Sequence, residues 1–166
     1  MSKALVRSVR ALCLASGLLL FFHTFFVVNT TKSFPLGLYL KTHDPAHRGD
    51  LVLVCPEDSE VSRYGRDHGF ISYGVCPGRY GYLIKRIVGS EGDLVEFSGE
   101  AVRVNGKPLP NSARHEAIPF RMEGKAELRN EALVMSEHPL SFDGRYFGPV
   151  SVDALCTPLK PLITWE

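Results

Sequence analysis

Two residues of this chain, Ser33 and Lys85, have side chains that could form a nucleophile and its base if the fold brought them together. A serine hydroxyl is a weak nucleophile and reacts only when an adjacent base takes its proton. A lysine can be that base near neutral pH only if its pKa falls from about 10.4 to about 7–8. The chemistry open to such a pair is acyl transfer through an ester on the serine. The alternative is an unreactive role for both residues, as a connector serine and a solvated lysine.

Lys85 lies in a segment, residues 82–89, whose apolar and β-branched residues predict a strand. On an extended strand, Leu83, Lys85 and Ile87 share one face. A lysine among such neighbours is either buried, which lowers its pKa, or placed on a partly solvated face. Because the adjacent Arg86 keeps its proton in both cases, Lys85 is the candidate base of this segment.

The residues that follow Ser33 make its surroundings stiff. Pro35 fixes its own φ and biases Phe34 toward extended geometry. Gly37 permits a turn or a close approach of another backbone. This stiffness favours a positioned serine over a loose connector.

The N-terminal segment has the pattern of a membrane anchor. Residues 11–28 contain no Asp, Glu, Lys or Arg and, as a helix, would rise about 27 Å, close to the thickness of a bilayer core. Three basic residues precede this run: Lys3, Arg7 and Arg10. The positive-inside rule then predicts a cytoplasmic basic segment (1–10), a transmembrane signal anchor (11–28) and an external domain (29–166). A cleaved signal peptide is the alternative, but no small-x-small site follows the run.

The cysteines fit this arrangement. Cys13 lies in the predicted span, and the other three would lie outside, where disulfides persist. We predict that Cys55 and Cys76 are bonded, which would stabilise the domain by roughly 3 kcal/mol. Cys156 is then left over, and we expect it to be buried. Because none of the spacings is C-x-x-C, no metal site is predicted.

Net charge and motif spacing argue against nucleic-acid binding, a helical metal site and a G-x-S-x-G hydrolase. A net charge of +1 argues against a nucleic-acid partner, which needs a basic excess. His43 and His47 have the spacing of a helical metal pair, but Pro45 between them makes a helix there unlikely. There is no G-x-S-x-G motif. No cofactor is expected.

Past the anchor, alternating hydrophobicity predicts a small domain made mostly of β-strands. Asn105-Gly106 predicts a hairpin turn. A short helix is predicted over 58–66 with Asp58 as its cap, and residues 107–130 are predicted to be a loop. The predicted strands are residues 37–41, 50–55, 82–89, 93–97, 101–104, 133–136 and 146–150.

Three motifs resemble those of a known peptidase family. "TTKSFPLGLY" resembles the serine motif of the TraF-type conjugative transfer peptidases, "YGYLIKRIVGSEGD" the lysine motif that they share with type I signal peptidases, and "SFDGRYFGPV" their shared C-terminal motif. The motifs occur in the order of the family. The resemblance implies a mostly β catalytic domain, of the fold that signal peptidases share with LexA-like repressors, on a single N-terminal transmembrane helix.

The resemblance also implies roles for individual residues. Ser33 falls on the nucleophile and Lys85 on the general base of a Ser-Lys dyad. Thr31 and the Ser33 N–H fall on the oxyanion hole. Three residues fall on positions that support the lysine: Ser141, Asp143 and Arg145.

What the resemblance implies about function is the processing, and possible cyclisation, of a membrane-bound propilin. The enzyme would lie in the inner membrane of a bacterium with its domain in the periplasm, beside other proteins of the conjugation apparatus. Phe34 replaces the methionine that follows the nucleophile in type I signal peptidases, which favours the TraF type over a general signal peptidase. Two different roles would also fit parts of this sequence: a non-catalytic scaffold of the apparatus, and a self-cleaving repressor, which the membrane segment disfavours.

Overall fold

The computed structural model describes residues 3–165, so the outermost residues of the predicted segments 1–10 and 29–166 (1, 2 and 166) lie outside the described residues. Helix α1 (Lys3–Phe25) contains an 18-residue window with a mean hydropathy of 1.8, and it is long and apolar enough to cross a membrane, a property that signal sequences share. The helix ends before the last residues of the predicted span 11–28, which stays a prediction. Strand β1 (Phe26–Asn29) begins directly after the helix, because its β-branched residues pair with the next strand.

The domain is built around a seven-stranded antiparallel sheet, which confirms the predicted mostly β class. Its strand order is β1-β2-β12-β3-β5-β10-β11. The strands after β1 are β2 (Leu36–Lys41), β3 (Leu51–Val54), β5 (Leu83–Gly89), β10 (Glu131–Met135), β11 (Val150–Ser151) and β12 (Leu155–Trp165). Strand β4 (Tyr73–Cys76) lies outside this sheet.

A smaller four-stranded sheet, ordered β8-β7-β6-β9, packs beside the first. Its strands are β6 (Leu94–Phe97), β7 (Val102–Val104), β8 (Lys107–Pro108) and β9 (Gly124–Glu127). The predicted hairpin at Asn105-Gly106 is confirmed, with φ of 51° and 78° at its two residues. The predicted loop 107–130 is wrong where β8 and β9 extend this sheet.

Two short helices cover one face of the large sheet, and both correct the sequence predictions. Helix α2 (Glu60–Asp67) is capped by the Ser59 hydroxyl, which accepts a hydrogen bond from the Ser62 N–H, and not by Asp58. Asp58 instead accepts a hydrogen bond from the Tyr80 hydroxyl at 2.8 Å.

The predicted strand 146–150 begins instead as helix α3 (Gly144–Phe147). Its start is fixed by Asp143, whose carboxylate accepts a hydrogen bond from the Arg145 N–H, and its end by Gly148, at a φ of 77°. Only the last predicted residue is extended, in β11.

The hydrophobic core lies in two main clusters. One fills the space between the large sheet and helices α2 and α3, where Phe142 and Tyr146 stack 5.4 Å apart. The other joins β10 to the small sheet around Leu128 and Leu133. The first cluster borders the residues from which the candidate site is built.

Cys55 and Cys76 form a disulfide bond in the structure. This bond links the two ends of the segment that contains α2. Cys156 is exposed, which corrects the expectation that it is buried. It sits at a bulge of β12, where the register against β3 shifts.

We expect a Cys55→Ser, Cys76→Ser double variant to lose about 3 kcal/mol of unfolding free energy, because its unfolded chain is no longer restrained. Urea titration of the full chain in detergent, followed by tryptophan fluorescence, measures the loss. Cys156→Ser is the matched control and should leave the unfolding midpoint unchanged. Equal midpoints for all three chains would show that the disulfide contributes nothing.

Candidate active site

Lys85 lies on the buried face of β5 and is 2% exposed. Leu83 and Ile87 share that face, as the alternation of the sequence predicts. On the neighbouring strand β3, Lys85 is paired with Val52, which is fully buried. The ζ-amine therefore reaches the site from an apolar strand that shields it from water.

Ser33 lies in the loop 30–35 that joins β1 to β2, and Asn29 holds this loop in shape. The buried Asn29 amide donates hydrogen bonds to the carbonyls of Thr31, Phe34 and Pro35 at 3.0, 3.0 and 3.1 Å. Sequence reasoning missed Asn29, because a polar residue directly after an apolar segment is usually interpreted only as the end of that segment. The loop is therefore rigid, as its composition predicts.

Gly37 anchors the far end of this loop. A Cβ at this position would collide with the Ile163 carbonyl oxygen of β12. Close contact between β2 and β12 thus requires glycine here, one of the two roles that the sequence suggested.

The side chains of Lys85, Ser33 and Ser141 form a triangle of polar contacts. Lys85 Nζ lies 2.7 Å from Ser141 Oγ and 3.4 Å from Ser33 Oγ, and the two hydroxyl oxygens are 3.2 Å apart. The shortest contact holds the amine against Ser141. The longer one leaves the Ser33 hydroxyl within reach of the amine, and such contacts commonly shorten when a substrate binds.

The surroundings of Lys85 favour its neutral form. Burial lowers its pKa from the ordinary 10.5 to about 8; the negative charge of Asp143 acts in the opposite direction, and the positive charge of Arg145 adds to the lowering. A neutral amine has a lone pair that can accept the proton of Ser33 while its N–H groups donate to Ser141. The arrangement can therefore activate a serine near neutral pH.

Asp143 and Arg145 form a fully buried ion pair beside this triangle. Arg145 Nε lies 2.8 Å from Asp143 Oδ1, and Nη2 lies 3.0 Å from Oδ2. The guanidinium also donates to five backbone carbonyls, those of Asn111, Ala113, Ser136, His138 and Pro139. Arg145 thus ties two loops to the segment that carries Ser141.

Ser136 links the ion pair to the Ser33 loop, a role that sequence reasoning missed. Its hydroxyl donates to the Ser33 carbonyl oxygen at 2.6 Å, and its N–H donates to Asp143 Oδ2 at 3.0 Å. Residues 33 and 136 are too far apart in sequence for any local pattern to join them. The backbone of Ser33 is consequently held from both sides, by Ser136 and by Asn29.

Ser33, Lys85 and Ser141 open into a cleft of about 470 Å³. Its lining includes β1 with the start of the serine loop, the residues around Phe70 and the start of β5. This volume is within the range of ligand sites.

The sequence profile of the family described as "Signal peptidase, peptidase S26" matches residues 1–160. This chain belongs to the S26 signal peptidase family. The resemblance predicted from the three motifs is therefore confirmed.

The chain is also similar to individual proteins. A plasmid transfer protein TraF of Escherichia coli is 41% identical over 146 residues, which cover 83% of this chain and 82% of that protein. A probable conjugal transfer protein TraF of Sinorhizobium fredii is 32% identical over 145 residues, covering 83% and 77%. Among solved structures, a signal peptidase I of Enterococcus faecalis is 16% identical with a TM-score of 0.42, covering 72% of this chain and all of the other.

Thr31 lines the cleft of this S26 chain, but its hydroxyl is engaged elsewhere. It donates to Asn29 Oδ1 at 3.0 Å, as does the Thr31 N–H. To donate to an oxyanion, the hydroxyl would have to leave Asn29. Its place in the oxyanion hole stays a prediction.

We expect the kcat/KM for peptide cleavage to rise with pH and to level off above a pKa of about 8, because Lys85 must be neutral to accept a proton. At pH 7, about a tenth of the molecules would have a neutral amine. Initial rates from pH 6 to 10 with one peptide substrate measure the profile. A profile without a rise between pH 7 and 9 would contradict this role of Lys85.

Proposed function

We propose that this chain is a membrane-anchored serine endopeptidase of a conjugative transfer system, and that it processes a propilin with a Ser33–Lys85 dyad. The observation that carries the proposal is the position of Lys85, whose buried amine contacts both the Ser33 and the Ser141 hydroxyls. An ordinary structural lysine has no need of burial against two serines, since burial disfavours its charged form.

The reaction begins when neutral Lys85 takes the proton of Ser33. Ser33 Oγ bonds to the carbonyl carbon of the substrate, and the carbonyl oxygen becomes an oxyanion that the Ser33 N–H stabilises. As the C–N bond breaks, the Lys85 ammonium returns its proton to the leaving amine. Ser141 fixes the amine throughout this exchange.

The acyl-enzyme that remains has two routes. Attack by water releases a linear product and restores the serine. Attack by an amine of the same substrate closes a ring and also releases the serine. In both routes Lys85 takes the proton from the attacking water or amine and passes it to the Ser33 oxygen. We propose that either route acts on a pilin precursor, since the relatives are conjugal and plasmid transfer proteins.

We propose that α1 is an uncleaved anchor in the inner membrane and that the peptidase domain lies in the periplasm. Support comes from the apolar helix, from the basic residues near its start, and from the disulfide between Cys55 and Cys76, which persists in an oxidising compartment. Anchoring raises the local concentration of a membrane-bound substrate. Other proteins of the conjugation apparatus would be neighbours in the same membrane.

Mass spectrometry of the pilin from mating cells tests the proposal. With the wild-type chain we expect a shortened pilin, either linear or lighter by one further water when a ring has formed. With Ser33→Ala or Lys85→Ala we expect the full-length precursor. Normal pilin maturation and mating with Ser33→Ala would contradict the enzymatic role. The alternative would then be a non-catalytic scaffold of the apparatus. Equal processing of a generic secreted precursor would instead indicate a general signal peptidase.

A further inference from the structure

A second depression, of about 330 Å³, lies between helix α2 and the residues 115–118. We call it the α2 groove. Its walls are aromatic and aliphatic, chiefly Tyr64, Phe70, Ile118 and Leu140, with the imidazoles of His68 and His115 at the sides. None of the residues that line it carries a carboxylate or an ammonium group. This lining favours an apolar ligand.

The α2 groove adjoins the catalytic cleft. Phe70 and Leu140 line both, and together they form the ridge between the two. They remain 41% and 59% exposed, although both are large and apolar. The Phe70 ring stacks on Phe142 at 5.4 Å, and the Leu140 N–H donates to His138 Nδ1 at 3.2 Å, which positions the backbone at Leu140.

The cleft and the groove differ in how near their lining residues come, along the chain, to the anchor helix. Residues 27–31, which follow α1, line the cleft, whereas the groove takes its lining from α2 and from later loops. A substrate whose membrane segment lay beside α1 would enter the cleft along β1. Its chain would then leave over the Phe70–Leu140 ridge into the groove.

We propose that the α2 groove binds a large apolar side chain of the substrate, located several residues from the cleaved bond in the part of the chain farther from the membrane. This rests on the proposed function. Tyr64 and His68 stack 3.8 Å apart and form a flat wall against which an aromatic or long aliphatic group can pack. The groove would add specificity at a distance from the reacting atoms.

Binding of two capped pentapeptides to the full chain in detergent tests the proposal. One carries a central phenylalanine among alanines, and the other is all alanine. Ser33→Ala prevents turnover, and the imidazole NMR signals of His68 and His115 report on the groove. We expect the phenylalanine peptide, and not the alanine peptide, to shift both signals.

Variants at Ala117, which lines the groove and is exposed, locate the binding. Ala117→Trp fills the groove and Ala117→Asp makes it polar, and each should raise the Kd of the phenylalanine peptide by about tenfold or more. Val75→Trp is the matched control, because Val75 is 81% exposed and lines neither depression. Its Kd should equal that of the parent chain.

Each other outcome overturns the proposal. Equal shifts with both peptides, or an unchanged Kd in both Ala117 variants, would exclude an apolar side-chain site. Shifts that follow the chain length of the detergent would assign the groove to lipid, and shifts that follow protein concentration would assign it to a second copy of this chain. Because binding is measured without turnover, failure of the groove and failure of the peptidase proposal give separate results.

Discussion

Replacing Lys85 with methionine is expected to abolish peptide cleavage and, at the same time, to stabilise the fold. Cleavage should fall by a factor of about 10⁴ or more, the range seen when a serine hydrolase loses its base. Ser33→Ala should cost a similar factor, and the two changes together little more, because the residues act as a unit.

The stabilisation follows from the lowered pKa of Lys85. In the unfolded chain its pKa is near 10.5, and in the folded chain it is about 8, so at pH 7 the burial of its ammonium costs about 3 kcal/mol. Methionine fills a similar volume without this cost. We therefore expect the unfolding free energy to rise by about 1–3 kcal/mol at pH 7, as measured by urea titration.

The pH dependence provides an internal check. Between pH 8 and 10.5 the unfolded wild-type chain holds a proton that the folded chain has lost, so wild-type stability rises with pH in this window. The Lys85→Met chain lacks this rise, and the stability gap between the two chains should close by pH 10.5. Lys125→Met, at an exposed position, is the control and should change stability by less than about 0.5 kcal/mol. A Lys85→Met chain less stable than wild type at pH 7 would contradict the account.

The second large effect is expected at the buried ion pair. Arg145→Met leaves the Asp143 carboxylate without its partner in a fully buried position and also removes the donor to five carbonyls. We expect a loss of about 3–5 kcal/mol of unfolding free energy in urea titrations. The Asp143→Leu, Arg145→Met double variant should lose less than Arg145→Met alone, because it buries no unpaired charge. If the loss in the double variant equals the sum of the losses in Asp143→Leu and Arg145→Met alone, the two side chains are not coupled.

Asp143 also acts on the lysine, and this role can be separated from stability. Its negative charge raises the pKa of Lys85, so Asp143→Asn should lower that pKa. The rise of the pH–rate profile should then shift to lower pH in the variant. A purely structural role for Asp143 would reduce the rate without moving the profile.

The sequence predicts much of the site because its signals are local. Alternation along residues 82–89 predicts that Lys85 shares a face with apolar side chains, and β5 has this pattern. Pro35 and Gly37 predict a stiff loop around Ser33. The charges of Asp143 and Arg145 are two residues apart, so the resemblance to a family motif places them without any knowledge of the fold.

The features that sequence reasoning missed depend on contacts between residues distant in sequence or on irregular pairing within a strand. Ser136 reaches the Ser33 carbonyl only because β10 lies beside the serine loop. Strand β12 contains Pro158 and Pro161, and prolines argue against a strand that lies between two others. The register of β12 against β2 shifts directly after Pro161. Such contacts are set by the tertiary fold.

The titration of Lys85 itself tests the central claim most directly. Heteronuclear NMR of the full chain in detergent, with lysine labelled at Cε and Nζ and the Lys85 signal assigned from Lys85→Met, follows its amine from pH 6 to 12. We expect a midpoint near 8 for Lys85. A midpoint near 10.5 would show a charged, solvated lysine at neutral pH and would contradict its role as the base that activates Ser33.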